Sequence, residues 1–324
     1  MPKTVLKMPE KVFVGIDTSN YTTSCAIADE NGKILHNFKI LLPVSKGERG
    51  LRQSEAVFAH IKNLQGVSDS IKALEKDFKI MAIGYSAFPR DAHNSYMPCF
   101  LTGEAVARML SAFEGVDAYA FSHQAGHIKA AVYSSGASLD GDFISFHVSG
   151  GTTEILYVKQ NESSYYDIEI IGGSVDLHAG QAIDRIGVAL GLDFPCGRKL
   201  ESLASTNSEK IPSPKISVKD FNCNLSGLEN LALNLYKKTQ SKELVCAYTI
   251  DFIGKTLEKL TENLRNSYKD TPIVYAGGVM SNSIIKKRLK NKFSSVYFAE
   301  PEYSSDNASG IALLARERYL KERK

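Results

Sequence analysis

The stretch Val12-Phe13-Val14-Gly15-Ile16-Asp17-Thr18-Ser19-Asn20-Tyr21-Thr22-Thr23-Ser24-Cys25-Ala26-Ile27-Ala28 reads as a strand, a polar turn and a returning strand. Apolar, largely β-branched residues run up to Asp17, and hydroxyl side chains fill the turn. Asn31-Gly32 supplies a tight hairpin turn into a third strand, Ile34 to Ile40. The pattern returns further along. Phe143-Ile144-Ser145-Phe146-His147-Val148 is a strand, Ser149-Gly150-Gly151-Thr152-Thr153 a glycine turn, and Glu154 to Val158 a returning strand. Either turn alone is most simply an ordinary hairpin, but the recurrence predicts two related lobes. Turns of this kind offer backbone N–H groups and hydroxyls to phosphate oxygens, and their glycines permit close approach.

Helical periodicity surrounds these units. Ala56, Val57, Ala59, Ile61, Leu64, Val67, Ile71 and Leu74 predict a helix from Ser54 to Phe78, interrupted near Gly66. A short strand, Ile80 to Ser86, a helix, Gly103 to Phe113, and a strand, Ala118 to Phe121, follow. Beyond the second unit, Ser174 to Leu190 reads as a helix, broken by glycine and proline between Gly191 and Gly197. Ser205 to Lys219 reads as a surface loop, and Leu244 to Leu264 as a long amphipathic helix. Then come a strand, Pro272 to Ala276, a turn, Gly277-Gly278-Val279-Met280, and a helix beginning near Ser281-Asn282, which makes a seat for phosphate or adenosine. Asp306-Asn307-Ala308 is expected to cap a last helix, Ser309 to Tyr319.

The strand Ala118 to Phe121 delivers the chain to Ser122-His123-Gln124-Ala125-Gly126-His127. Residues i and i+4 lie on one face of a helix, so both imidazoles can reach one metal ion, and imidazole suits zinc and iron. The pair alone is weak evidence, and two unremarkable surface or cap histidines are the plainer reading. A zinc peptidase of this spacing needs a glutamate beside the first histidine as general base; Gln124 stands there, which argues against peptide hydrolysis.

A chain of 324 residues, 43% hydrophobic and 23% charged, has room for two cores and the composition of a globular protein. It has no apolar run long enough for a membrane span, and Met1 to Lys7 lacks the apolar block of a signal peptide, so a cytoplasmic location is expected. Five cysteines without C-x-x-C spacing indicate reduced, buried thiols. The net charge of +3 does not mark a nucleic-acid binder. The basic runs Lys286 to Lys292 and Arg316 to Lys324 fit phosphate contacts or, more simply, solvated helix faces.

Taken in order, several stretches resemble the TsaD/Gcp/Kae family, once called O-sialoglycoprotein endopeptidase. They are Gly15-Ile16-Asp17-Thr18-Ser19, Ser122 to His127, Val148 to Thr153, Ala179-Gly180-Gln181-Ala182-Ile183-Asp184-Arg185, Leu225-Ser226-Gly227-Leu228, Ala276 to Asn282 and Ser305 to Ala308. The resemblance implies an α/β, two-lobed actin/Hsp70-type (ASKHA) fold, each lobe a five-stranded mixed sheet with helices. Lobe I would span 1–119, with a C-terminal helix, 307–324, packing back on it; lobe II would span 120–306, with nucleotide and metal in the cleft.

It further implies transfer of a threonylcarbamoyl group from threonylcarbamoyl-adenylate to adenosine 37 of tRNA. The ligands would be a divalent metal, iron or zinc, and ATP or the adenylate; the partners would be tRNA and a TsaB-like paralogue or small complex subunits. The family's metal ligands match His123, His127 and Asp306. Its adenylate contacts match the turn Ser149, Gly150, Gly151 and Thr152, with Gly180 and Asp184 on the ribose side and Gly277, Gly278 and Asn282 on the adenine side. His147, where relatives carry a metal-binding tyrosine, is expected as a further ligand or as a hydrogen-bonding histidine.

Two segments depart from the family pattern. Asn20-Tyr21-Thr22-Thr23 replaces acids in the opening loop, and Ala87 to Pro98 replaces a G-P-G-L segment. Thr18, Arg90 and His93 are candidate phosphate or acceptor contacts there; the plainer readings are a loop histidine and a local Arg90-Asp91 ion pair. A divergent paralogue follows. Its alternatives are an ATP-dependent carbamoyltransferase acting on a small-molecule acceptor, or a non-catalytic ATP-binding paralogue paired with a TsaB-like partner. Retention of three convergent ligands argues against the last.

Overall fold

The computed structural model describes residues 9–19, 21–43, 51–139, 141–161, 165–304 and 308–324. The candidate ligand Asp306, the cap residue Asn307, Asn20 of the opening turn and the start Met1 to Lys7 lie outside the described residues. The chain divides into two compact units: residues 1–133, 161–166 and 305–324 form one, and 134–160 with 167–304 the other.

The first unit is built on a five-stranded sheet of order β3-β2-β1-β4-β5, comprising β1 (Glu10–Ser19), β2 (Thr22–Asp29), β3 (Ile34–Leu41), β4 (Phe78–Phe88) and β5 (Asp117–Ser122). β1 runs antiparallel to β2 and parallel to β4. It is buried from Val12 onward, which explains its nearly unbroken apolar run: both faces are covered. Alternation along the strand assigns the faces. Val14 and Ile16 pack with Val67 of α1 (Gln53–Lys72) and Ala107 of α2 (Phe100–Glu114). Phe13 and Gly15 point the other way and meet α9 (Ser309–Lys321): the Phe13 and Tyr319 rings are 5.3 Å apart, and a Cβ on Gly15 would lie 2.4 Å from the Ala308 carbonyl oxygen.

The remaining helix, α3 (His123–Ser135), carries the histidine pair. Its glycine face lies directly on α9, so close that a Cβ on Gly310 would sit 1.8 Å from the Gly126 carbonyl oxygen. That packing keeps the histidines with the first unit, whose chain continues to Tyr133 rather than ending at the strand before them.

The second unit holds a seven-stranded sheet of order β12-β11-β6-β7-β8-β10-β9. Its strands are β6 (Phe143–Val148), β7 (Thr153–Asn161), β8 (Tyr165–Ser174), β9 (Ser217–Lys219), β10 (Asn222–Asn224), β11 (Ile273–Ala276) and β12 (Val296–Phe298). The helices are α4 (Ala179–Ala189), α5 (Gly197–Ser205), α6 (Gly227–Thr239), α7 (Lys242–Ser267) and α8 (Ser283–Lys292). β6 and β11 pair in parallel, bringing the ends of both strands side by side at His147 and Ala276. Their aromatic residues stack, Phe146 on Tyr275 at 4.7 Å, and Tyr275 shares a 2.6 Å hydrogen bond with Thr261 of α7.

The two-lobed α/β class therefore holds, with differences of detail. Lobe II has seven strands because β9 and β10, three residues each, form within the polar stretch that reads as loop and its sequel. α1 is unbroken at Gly66, whose missing side chain admits Ile40; a Cβ there would be 3.0 Å from Ile40 Cδ1. The helix expected from Ser174 begins at Ala179: Ser174 ends β8, and the Asp176 carboxylate ties down the intervening loop by accepting from Leu177 N–H, Leu225 N–H and Ser226 Oγ.

Candidate functional site

In the first unit, Asp17 stands at the sheet end of β1 and is 1% exposed. A buried carboxylate requires donors, and among the described residues it has three. Ser19 donates its N–H to Oδ1 at 3.0 Å and its hydroxyl to Oδ2 at 3.3 Å, and His123 Nδ1 lies 2.9 Å from Oδ2. With Nδ1–H donated to the carboxylate, the lone pair of the neutral His123 ring is on Nε2. The His127 ring is 4.3 Å from that of His123 and nearly perpendicular to it, at 79°, and Phe100 flanks His123 at 6.1 Å. The helical spacing thus brings the two imidazoles together, and a carboxylate 106 residues away orients one of them.

These residues fit a metal in part: two imidazoles on one helix face, one with a buried carboxylate behind it, are the donor set of a histidine-rich site with its outer partner. Among the described residues no cluster of three or more His, Cys, Asp or Glu side chains forms a complete set. The third expected ligand, Asp306, is outside them.

The other candidates of this unit divide. Thr18 is fully buried; its hydroxyl donates to the Cys99 carbonyl at 2.9 Å and accepts from the Gly103 N–H at 3.0 Å. It fastens β1 to the start of α2, and that hydroxyl is not presented to a phosphate. Arg90 is half-buried and His93 exposed on the loop between β4 and α2. The Arg90 N–H donates to Ser95 Oγ at 3.0 Å, while the Asp91 carboxylate accepts from Ser122 Oγ.

His60, which sequence reasoning passed over, is fully buried on α1. Its Nδ1 is 2.8 Å from Thr23 Oγ1, which also accepts from Asn63 Nδ2 at 3.1 Å. The Thr23 hydroxyl thus joins His60 to Asn63 inside this unit. Burial pushes the His60 pKa down, opposed by the Asp17 charge and the Ser19 carbonyl. The spacing Ala56, His60, Val67 on the buried stripe of α1 was the available signal.

In the second unit, three glycine-bearing segments converge. The turn between β6 and β7 closes through Ser149 N–H to the Thr152 carbonyl at 2.7 Å, and a Cβ on Gly150 or Gly151 would meet nothing within 4 Å. The start of α4 is laid against this turn: Gly180 N–H donates to the Ser149 carbonyl at 3.0 Å, Ala179 N–H to Thr153 Oγ1 at 2.9 Å, and a Cβ on Gly180 would lie 2.6 Å from Gly150 N. Gly277, at φ +98°, brings the end of β11 within 2.3 Å, measured from an added Cβ, of the Val148 carbonyl oxygen. Ser149 to Thr152, Gly180, Gly277 and Gly278 thus form one backbone-lined region.

Asp184, one turn beyond Gly180 on α4, accepts from Cys196 N–H at 2.8 Å through Oδ1. Asn282 is 8% exposed and caps α8, its Oδ1 accepting from Ile284 and Ile285 N–H at 3.1 and 3.0 Å. Glu201 accepts from the N–H and hydroxyl of Ser283. The start of α8 is therefore occupied by the protein's own acceptors and an anion, which corrects the expectation of a phosphate seat there. His147 lies on β6 opposite Glu154.

Part of each basic run is engaged by the protein's own groups. Arg288 pairs with Asp251 and Glu258, Lys292 with Glu258 and Glu262, and Lys286 and Lys290 lie over the Phe298 ring at 5.6 Å. At the C-terminus Arg318 pairs with Glu322 and Arg323 with Asp117. All five cysteines are buried thiols; burial pushes Cys25 up to about 12. Among the described residues no helix is long and apolar enough to cross a membrane.

Comparison with known proteins gives a consistent result. A family model described as TsaD, tRNA N6-adenosine threonylcarbamoyltransferase, matches residues 96–313, more than half of the chain. The protein of that name from Thermosipho africanus is 29% identical over 326 residues, covering 96% of this chain and 95% of its own. That from Francisella tularensis subsp. mediasiatica is 26% identical, covering 95% and 94%. Among solved structures, HypF of T. kodakarensis has a TM-score of 0.61 at 13% identity, covering 96% of this chain and 48% of its own. A ROK family glucokinase from Streptomyces griseus has a TM-score of 0.52 at 13%, covering 94% and 99%. At such identities the structural likeness is one of fold, the two-lobed actin/Hsp70 type.

Proposed function

Because the chain belongs to the TsaD family, we propose that it transfers a threonylcarbamoyl group from threonylcarbamoyl-adenylate to the exocyclic nitrogen of adenosine 37 in tRNA. The observation that carries the reading is the His123–His127 pair with Asp17 behind it, a built and partly buried arrangement in a chain whose family match covers the same helix. In this reading the two imidazoles and Asp306 hold iron or zinc. The metal, when bound, supplies Lewis-acid stabilisation of negative charge developing in the transfer.

The chain's own residues do the rest. The turn Ser149 to Thr152 offers N–H groups and hydroxyls to the adenylate phosphate, Gly277 and Gly278 let the nucleotide lie against backbone, and Asp184 retains Oδ2 for ribose hydroxyls. In the transfer, the adenine N6 lone pair attacks the carbamoyl carbon, the carbon–oxygen bond to phosphate breaks, AMP leaves with that electron pair, and N6 releases one proton to solvent. Asp17 keeps the His123 ring in one tautomer throughout.

The test is transfer of labelled threonylcarbamoyl from its adenylate to an A-decoding tRNA, with iron or zinc supplied, and with and without a TsaB-like partner. Modified tRNA that is lost in a His123→Ala, His127→Ala protein supports the proposal. Absence of product from a protein that binds metal and nucleotide would instead favour carbamoyl transfer to a small acceptor, in keeping with the divergent loop at Ala87 to Pro98.

A further inference from the structure

His123 is the first residue of α3. Helix first turns fray, because their N–H groups have no partners within the helix, and a ligand placed there is only as well positioned as its cap. In this chain the cap is assembled by the loop that departs from the family pattern. Ser122, 1% exposed, stands just before α3, and its Oγ accepts from the Ala125 N–H at 3.0 Å. The same hydroxyl donates its hydrogen to Asp91, so the carboxylate fixes the rotor with a lone pair toward the helix. Gln124 N–H, the second of the first turn, donates to the Pro89 carbonyl at 3.1 Å. Residues 89 and 91 therefore close two N–H groups of the turn that carries His123, one directly and one through Ser122. The loop itself is folded back by Ala92 N–H to the Arg90 carbonyl, Ser95 N–H to the Ala92 carbonyl, and Arg90 N–H to Ser95 Oγ.

We propose that Asp91 is a positioning residue for the metal-binding histidines: through Ser122 it holds the first turn of α3, and so the His123 ring, in the orientation that Asp17 completes. The divergent loop is then a brace for the histidine helix. The proposal rests on the reading of His123 and His127 as metal ligands.

The experiment is a cobalt(II) titration of the full chain, followed by its visible d–d bands, for the unaltered protein and for Asp91→Ala, Asp91→Asn and His123→Ala. Asparagine keeps an oxygen that accepts from Ser122. Asp91→Ala is expected to weaken cobalt binding about fivefold to tenfold, in line with the loss of a helix cap, and to change the bands of the loaded protein. Asp91→Asn is expected to restore affinity to within about twofold and the original bands. General loosening of the fold would lower affinity without altering the spectrum of the bound form. Unchanged affinity and bands in Asp91→Ala, alongside loss in His123→Ala, would overturn the role of Asp91, as would Asp91→Asn falling as far as alanine. Undiminished binding in His123→Ala would instead overturn the metal reading, and this proposal with it.

Discussion

Replacing Gly310 by alanine tests whether the histidine helix is placed by backbone-to-backbone packing. An added Cβ would stand 1.8 Å from the Gly126 carbonyl oxygen and 2.9 Å from Ala130 N. A tolerable carbon–oxygen contact is ~3.3 Å, so α3 and α9 must separate by about 1.5 Å at this point. Overpacking of a dense interior costs ~1–3 kcal/mol when side chains can yield; here the obstacle is backbone, and the upper end applies. Alanine gains ~1 kcal/mol over glycine in helix propensity, which leaves a net loss of about 2 kcal/mol. Urea denaturation measures it. Gly227→Ala at the start of α6 is the control, since a Cβ there meets nothing within 4 Å. The control should be neutral or more stable. A separation of that size also moves His123 relative to Asp17, so metal affinity should fall with stability in Gly310→Ala and remain unchanged in Gly227→Ala. A Gly310→Ala protein as stable as the parent, with its metal affinity intact, would refute the packing argument.

Other consequences follow from single groups. Asp17→Asn removes the charge behind His123 and is expected to weaken metal binding by about 10- to 100-fold, the usual effect of losing an outer partner, with the fold retained by circular dichroism. Burial would raise the Asp176 carboxyl, yet hydrogen bonds from Leu225, Ser226 and Leu177 hold it well below the usual carboxylate range; its folded pKa is depressed. Its contribution is therefore present above pH ~4, the ordinary aspartate value, and is lost as pH falls through the folded pKa, so Asp176→Ala should destabilise at pH 7 and match the parent in strong acid, as urea midpoints across pH would record. The depressed pKa of His60 has the same sign: the unfolded chain takes up the proton first as pH falls below ~6.5, so stability falls there. A His60→Gln protein should show a flatter stability profile just below pH ~6.5, and an unaltered slope would remove His60 as its source.

The sheet-forming stretches were legible because their physics is local. β1, β6 and β11 declare themselves by runs of β-branched and aromatic residues ending in glycine or hydroxyl turns. β8 was not, since Tyr165 to Ser174 mixes acids with apolar residues and ends in two glycines that resemble a helix approach; its partners lie on β7 and β10. The same divide runs through the site. His123 and His127 announce themselves by spacing alone, whereas Asp17 acquires meaning only from a histidine 106 residues later, and His60 from a threonine 37 residues earlier. The basic run on α8 was open to two readings because its partners, Asp251, Glu258 and Glu262, lie on another helix.

Both units solve one problem in the same way, and the solution explains why glycine positions carried so much of the sequence resemblance. A site made by strand ends and helix starts needs those elements closer than side chains ordinarily allow. In the first unit Gly15 and Gly310 let α9 rest on β1, which bears Asp17, and on α3, which bears both histidines. In the second, Gly180 and Gly277 press α4 and the end of β11 onto the turn after β6. A substituent at any of these four positions meets backbone atoms within 2.6 Å, and backbone cannot turn aside as a side chain does. The polar residues do the chemistry proposed for them only at separations that these glycines set. Substitution at Gly15, Gly180, Gly277 or Gly310 should therefore damage activity and stability together, whereas Asp17→Asn should separate the two.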